Sequence, residues 1–300
     1  MKKKTYLFAL MAMALTLGSC SDNENGIGGE TSKYITVSTS IGNMTRVATD
    51  EKGGQTFEEG DEISVYAWTG DATVAPETLE RVVNNAINKL TNGSWVSTPQ
   101  MLWKNNRDKH YFIGVYPISA ISDLSAGEYT FDVTKQVESD LLVAVNKDGL
   151  SYNVDEQQPV PLTFTHVMAK LAVKLTYKNQ WGGIPTVEKV VVGNAAKEAT
   201  INYLTKVVTP STTAKEDFSL PEITENTKYV SVIIPQEDVK QLTIVIGGKN
   251  FVYDNGTPFK LESGKITTVN LEVGRDEIKL GDVKITDWEN GSTFSGEALN

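Results

Sequence analysis

From Phe57 onward the chain alternates apolar and polar residues in short runs, each closed by glycine, proline or asparagine. This period of two constrains the fold more than any other feature. In Asp61–Trp68 the side chains of Ile63, Val65 and Ala67 fall on one face and Glu62, Ser64, Tyr66 and Trp68 on the other. Lys109–Tyr116 reads as a strand stopped by Pro117, and Glu128–Val133 as another that follows the Ala126–Gly127 turn. Residues 77–90 admit an amphipathic helix, but the paired asparagines favour an irregular strand leading into a hairpin at Asn92–Gly93. Thr163–Tyr177 reads as one long half-buried strand. Further strands are expected at Val187–Val192, Tyr229–Ile234, Leu242–Ile246, Phe251–Tyr253, Thr267–Val273 and Val283–Trp288. Turn signals recurring every roughly 8–12 residues, with no run of alternating helices, predict an all-β protein built as a β-sandwich. No fixed internal period points to a propeller or solenoid. Gln157–Gln158, flanked by Pro159 and Pro161, is the best boundary, giving two domains at 34–158 and 159–300.

The N-terminus places the chain in a compartment. Lys2, Lys3 and Lys4 precede an apolar run, Thr5–Leu17, that is too short for a permanent membrane span. Residues 1–19 are therefore read as a signal peptide. Leu17-Gly18-Ser19-Cys20 resembles a bacterial lipobox, which implies acylation of Cys20 and cleavage just before it. Cys20 is the single cysteine of the 300 residues, so no intramolecular disulfide is available and stability must come from core burial. Residues 20–33 form a polar, glycine-rich tether. Its acids Asp22 and Glu24 are either a solvated linker or similar to the export signal of Bacteroidales surface lipoproteins. The formal charge of −10 becomes −13 once the three signal-peptide lysines are removed, which argues against nucleic acid as a partner.

Tyr34–Ile41 is the first strand signal, with Ile35, Val37 and Ile41 facing one way and Thr36, Ser38 and Ser40 the other. Gly42-Asn43 ends it, and Arg46-Val47 follows in a polar stretch. Arg46 is either a plain surface arginine or a site of proteolytic nicking, since exposed connections tolerate cleavage.

Catalytic chemistry is not visible. His110 and His166 sit singly within strands and are read as structural residues. Nucleophile elbows, phosphate loops and zinc-binding helices are missing from the sequence, and two histidines with one cysteine are too few soft ligands for a transition metal. No cofactor is expected. Glu58-Glu59-Gly60-Asp61-Glu62 lacks the spacing of a calcium loop and is read as a solvated run. The tryptophans Trp68, Trp95, Trp103, Trp181 and Trp288 are either packing residues or, for Trp68 and Trp103, a platform for glycans.

Taken in order, the lipobox, the tether, the first strand, Thr45-Arg46-Val47-Ala48-Thr49, Glu59–Tyr66, Lys109–Pro117, Leu162–Leu171 and Ile285–Gly291 resemble the fimbrillin-like family of Bacteroidales surface pilins. The resemblance implies two tandem transthyretin-like β-sandwich domains behind a lipoprotein signal peptide. It also implies delivery to the outer membrane through lipid on Cys20, and removal of the first strand by an arginine-specific protease cutting between Arg46 and Val47. Assembly with other fimbrial subunits by strand exchange would follow, with the donor within Asp282–Asn300. The alternative is a permanently anchored surface lipoprotein that binds glycans or host ligands; an enzyme is not expected.

Overall fold

The computed structural model describes residues 33–42, 56–153 and 158–288. Nineteen strands and two short 3₁₀ turns make up the described residues, so the chain is all-β. Seven strands form one sheet. They are β1 (Val37–Ile41), β2 (Glu62–Thr69), β3 (Val83–Thr91), β4 (Ser94–Thr98), β5 (His110–Tyr116), β7 (Leu142–Leu150) and β8 (Val160–His166), in the order β1-β8-β7-β5-β2-β3-β4. Between β5 and β7 lies β6 (Gly127–Thr130), which leaves that sheet to pair with β11 (Glu198–Asn202), itself paired with β12 (Val207–Pro210).

The rest of the chain supplies two more sheets. β10 (Lys189–Ala196), β13 (Lys215–Ser219), β16 (Gln241–Ile246) and β17 (Lys249–Asp254) lie in the order β13-β10-β16-β17. β9 (Ala169–Tyr177), β14 (Glu222–Thr224), β15 (Lys228–Ile233), β18 (Lys265–Val273) and β19 (Ile278–Asp287) lie in the order β14-β15-β9-β18-β19.

The hairpin expected at Asn92–Gly93 joins β3 to β4, with both residues at positive φ (51° and 74°). Two consecutive left-handed residues match the right-handed twist of the flanking strands, and glycine takes that conformation without a Cβ clash. Residues 77–90 contain no α-helix. A 3₁₀ turn at Thr78–Glu80 leads into β3, as the strand reading required.

Two expectations need correction. Thr163–Tyr177 is not one strand but two, β8 and β9, which belong to different sheets. Buried positions fall on even numbers in β8 (Val160, Leu162, Phe164, His166), whereas the odd-numbered Ala169, Leu171, Val173 and Leu175 carry the buried face of β9. Val167 and Met168 absorb that change of parity, and their backbone bonds go to Leu141 O and from Gly264 N–H rather than into either ladder. β8 thus lies in the seven-stranded sheet although it follows residue 158. The second correction concerns β2, which is buried on both faces rather than one. Ile63, Val65 and Ala67 face a core shared with β1, β5 and β8, while Tyr66 and Trp68 face a larger core that reaches β9, β10, β16 and β18. A strand clad on both sides carries no polar face, so Tyr66 and Trp68 contribute burial, not surface chemistry. β7 and the strands β11 to β14 had no counterpart among the expected strands.

Candidate functional site

The first strand closes a groove that the rest of the seven-stranded sheet leaves open. β1 runs parallel to β8, in register from Val37 opposite Val160 to Ile41 opposite Phe164. Val160 N–H donates to Thr36 O at 2.8 Å and Gly42 N–H to Phe164 O at 2.8 Å, so the ladder extends past both ends of β1. Just upstream the chain changes partner. Ile35 N–H donates to Met101 O at 2.9 Å and Trp103 N–H to Lys33 O at 3.1 Å, with Tyr34 and Leu102 forming an antiparallel bridge. The segment 33–42 is therefore held by backbone bonds to residues about 70 and 120 positions away in sequence.

Its apolar side chains enter the core on one side only. Ile35, Val37 and Ile41 are buried at 2%, 6% and 8% exposure against Ile63, Val65, Phe112, Leu162 and Phe164. Thr36 and Ser38 face solvent, as the alternation predicts. Gly114 of β5 lies at the floor. A Cβ there would come within 2.7 Å of Phe164 Cζ and 3.1 Å of Leu162 Cδ1, so the groove depends on that glycine for the seat of Phe164. Phe57 packs edge-on against Phe164 (5.1 Å), Trp95 (5.3 Å) and Tyr116 (5.4 Å), forming an aromatic wall beside β1. Trp95 Nε1–H donates to Thr39 Oγ1 at 3.0 Å and Ser40 Oγ–H to Thr163 Oγ1 at 3.2 Å. Between β1 and the β3–β4 hairpin an open cleft of about 580 Å³ remains, lined by residues 36–41, Phe57, Leu90 and Trp95.

Burial sets the protonation of two groups near the groove, Tyr116 and His110. Burial, aided by the Asp61 carboxylate, pushes the Tyr116 phenol up to about 12. His110 is fully buried, with Nε2 accepting from Lys104 N–H at 3.1 Å and Nδ1 3.1 Å from Asp108 O. Burial holds its imidazole below the ordinary value, which favours a neutral ring that donates from Nδ1. His166 is bonded through Nδ1 to Asp140 Oδ1 at 2.8 Å. Both histidines are buried, at 0% and 7% exposure. The Glu58–Glu62 run forms a turn in which Glu58 N–H donates to Asp61 Oδ2 and Asn92 N–H to Glu59 Oε1. Among the described residues no three His, Cys, Asp or Glu side chains gather at metal-binding spacing.

Toward the other end of the chain β19 pairs antiparallel with β18 along its full length and, among the described residues, has no partner strand on its far side. A bulge falls between Leu280 and Asp282, so that Ile278, Leu280, Val283 and Ile285 stand opposite Val273, Leu271, Val269 and Thr267. Directly opposed residues share a face, and the bulge at Gly281 therefore gathers four apolar side chains into one row. Those of Leu280, Val283 and Ile285 are 38–39% exposed, against 0–1% for their partners.

Cys20, Arg46 and Val47 lie outside the described residues, as do Glu289–Asn300. Trp68 is 2% exposed, with its Nε1–H bonded to Asp71 O at 2.9 Å, which removes it as a sugar platform. Trp103 is half-buried against His110 and Phe112. Three parts of the groove escaped the sequence reading: the Met101–Trp103 segment, Phe57 and Gly114. Only the spacing of Met101 and Trp103 on either side of Leu102 carried a signal, as a fragment of alternation too short to assign.

The fimbrillin-like family model matches residues 45–288. A protein of Bacteroides uniformis named as a candidate fimbrium subunit, Fim1C, is 26% identical over 326 aligned residues, which cover 99% of this chain and 100% of the relative. Among solved structures, a candidate cell adhesion protein from Bacteroides uniformis superposes with a TM-score of 0.62 at 20% identity, covering 86% of this chain and 100% of the other. A fimbrial protein from Bacteroides vulgatus gives 0.54 at 13% identity, with 84% and 99% covered. These structures share the fold. With a family model spanning most of its length and an all-β architecture that agrees with it, the chain belongs to the fimbrillin-like family.

Proposed function

We propose that this chain is a structural and adhesive subunit of a cell-surface fimbria, exported as a lipoprotein on Cys20 and matured by cleavage between Arg46 and Val47. It then assembles by strand exchange and carries out no chemistry of its own. The observation that carries this reading is β1 itself, a strand with a buried apolar face whose ladder runs to β8, more than 100 residues later. Cutting downstream of it separates the strand from the body. Burying three such side chains is worth about 1.5–3 kcal/mol each. Their loss is a large share of the ~5–15 kcal/mol that stabilises an ordinary domain. The emptied groove would expose Phe112, Leu162 and Phe164 together with the backbone edge of β8, a combination that favours capture of another strand.

Before cleavage the intact segment fills its own groove and keeps the precursor monomeric. A donor needs an extended segment with one apolar face, and the half-exposed row on β19 has that form. In this reading the C-terminal strand of one subunit enters the β1 groove of the next. The outer membrane, an arginine-specific protease and other fimbrial subunits are then the partners, and the location is the fimbrium at the cell surface. The two-sandwich organisation, with its division near Gln158, belongs to the same reading.

The test is to treat purified precursor with an arginine-specific protease and follow size by light scattering, beside Arg46→Ala. Ladder-like oligomers from the wild type alone are expected. No cut near Arg46, or equal assembly by the alanine variant, would leave an anchored surface lipoprotein as the better account.

A further inference from the structure

The C-terminal strand is exposed almost throughout, yet it ends on a buried residue. Nine of the ten residues of β19 are exposed, whereas Trp288, immediately after it, is only 7% exposed. Its indole lies flat on the His166 imidazole, with ring centres 3.9 Å apart and planes within 7°. Lys170 Nζ stands 3.9 Å from the centre of the same ring, and Trp288 N–H donates to Gly264 O at 2.9 Å. The seat is assembled from both sides of the sheet change. His166 ends β8 of the seven-stranded sheet, Lys170 belongs to β9 of the five-stranded sheet, and Asp140, just before β7, orients the imidazole through Nδ1 at 2.8 Å. His166 and Lys170 are themselves buried, at 7% and 3% exposure. Burial pushes the Lys170 ammonium down to about 8, so it is still largely protonated at neutral pH. A desolvated cation over an indole face is a strong form of that contact.

Resting on the reading of β19 as the donor strand, we propose that Trp288 is the clasp that keeps β19 on its own subunit, closing on the His166–Lys170 seat at the junction of the two sheets. Elsewhere the strand is held by its ladder to β18 and by surface side-chain pairs, Asn270 with Asp282 and Lys265 with Asp287. Among the described residues its ladder is one-sided, and Lys279, Asp282, Lys284 and the Gly281 bulge are the features by which an edge strand resists unwanted pairing. Such a strand can stay soluble while seated and leave once its anchor opens. The seat uses residues that flank Val167–Met168 and so draws on both sheets.

The test is hydrogen exchange of the full chain with Trp288→Ala and Trp288→Phe, read strand by strand. The clasp predicts about tenfold faster exchange in β19 for the alanine variant, with β9 and β15 unchanged and phenylalanine intermediate. Exchange that is unchanged in β19, or raised equally in β9, β15 and β19, overturns it. Assembly after arginine-specific cleavage is measured in parallel. Freed β19 with faster assembly supports both clasp and donor; freed β19 with unchanged assembly supports the clasp and sinks the donor reading.

Discussion

Truncating Ile35 to alanine should weaken the hold of the first strand without touching its hydrogen bonds. Ile35 is 2% exposed, and its backbone N–H to Met101 O does not depend on the side chain. Replacing a buried isoleucine by alanine costs about 2–5 kcal/mol, through lost transfer energy and the cavity left behind. Ile35 lies upstream of β1, beside the exposed Tyr34 and Thr36, where the groove can partly collapse, so the lower half of that range is expected. For a chain of this size each kcal/mol shifts the melting temperature by roughly 2–4 °C, and a loss of about 2–3 kcal/mol therefore lowers it by about 4–12 °C. The assay is differential scanning calorimetry of the uncleaved protein, with Ser38→Ala, on the solvent face of the same strand, as the control. A second arm adds a synthetic peptide of residues 33–42 to protein cut by the arginine-specific protease. The wild-type peptide should raise the melting temperature in proportion to its occupancy, and the Ile35→Ala peptide should do so less. An Ile35→Ala protein that melts with the wild type, or a cleaved protein indifferent to the peptide, would refute the account of β1 as a separable strand seated by apolar burial.

Gly114→Ala should be destabilising by about 1–3 kcal/mol, because the new methyl meets Phe164 Cζ at 2.7 Å and that ring is packed against Phe57; urea denaturation measures it. His110 should make stability acid-sensitive. Its folded pKa lies below the ordinary 6.5, so as pH falls through about that value the unfolded chain takes up a proton that the folded chain refuses. Stability from this group is complete above the unfolded value and declines below it, and His110→Gln should flatten the fall in melting temperature between about pH 7 and pH 5. Cys20→Ser should abolish fatty-acid labelling and membrane association, read by metabolic labelling and fractionation; a variant that still carries lipid removes the lipobox reading.

The sequence determined the class of fold and the faces of its strands. Alternation of period two sets which side chains share a face, and turn chemistry sets where a strand stops, and both are local properties of the chain. Asn92–Gly93 could be placed as a hairpin for that reason, and Ile35, Val37 and Ile41 could be assigned to one buried face. The placement of His110 and His166 within strands followed from the same pattern. Alternation does not say which strand lies beside which. That β1 pairs parallel with β8, more than 100 residues later, and that Met101–Trp103 holds its upstream end, depend on non-local packing that no window of sequence contains. The break at Val167–Met168 was hidden because two strands in tandem, with their parities offset, resemble one longer strand whose face is slightly irregular. Likewise the spacing of Leu280 and Val283 puts them on opposite faces of a regular strand, and only the bulge at Gly281 brings them together. Trp288 read as a strand residue like its neighbours. Tertiary structure alone placed it over His166 and Lys170, because a stacked and charged seat is built from side chains that meet only when the two sheets are in place.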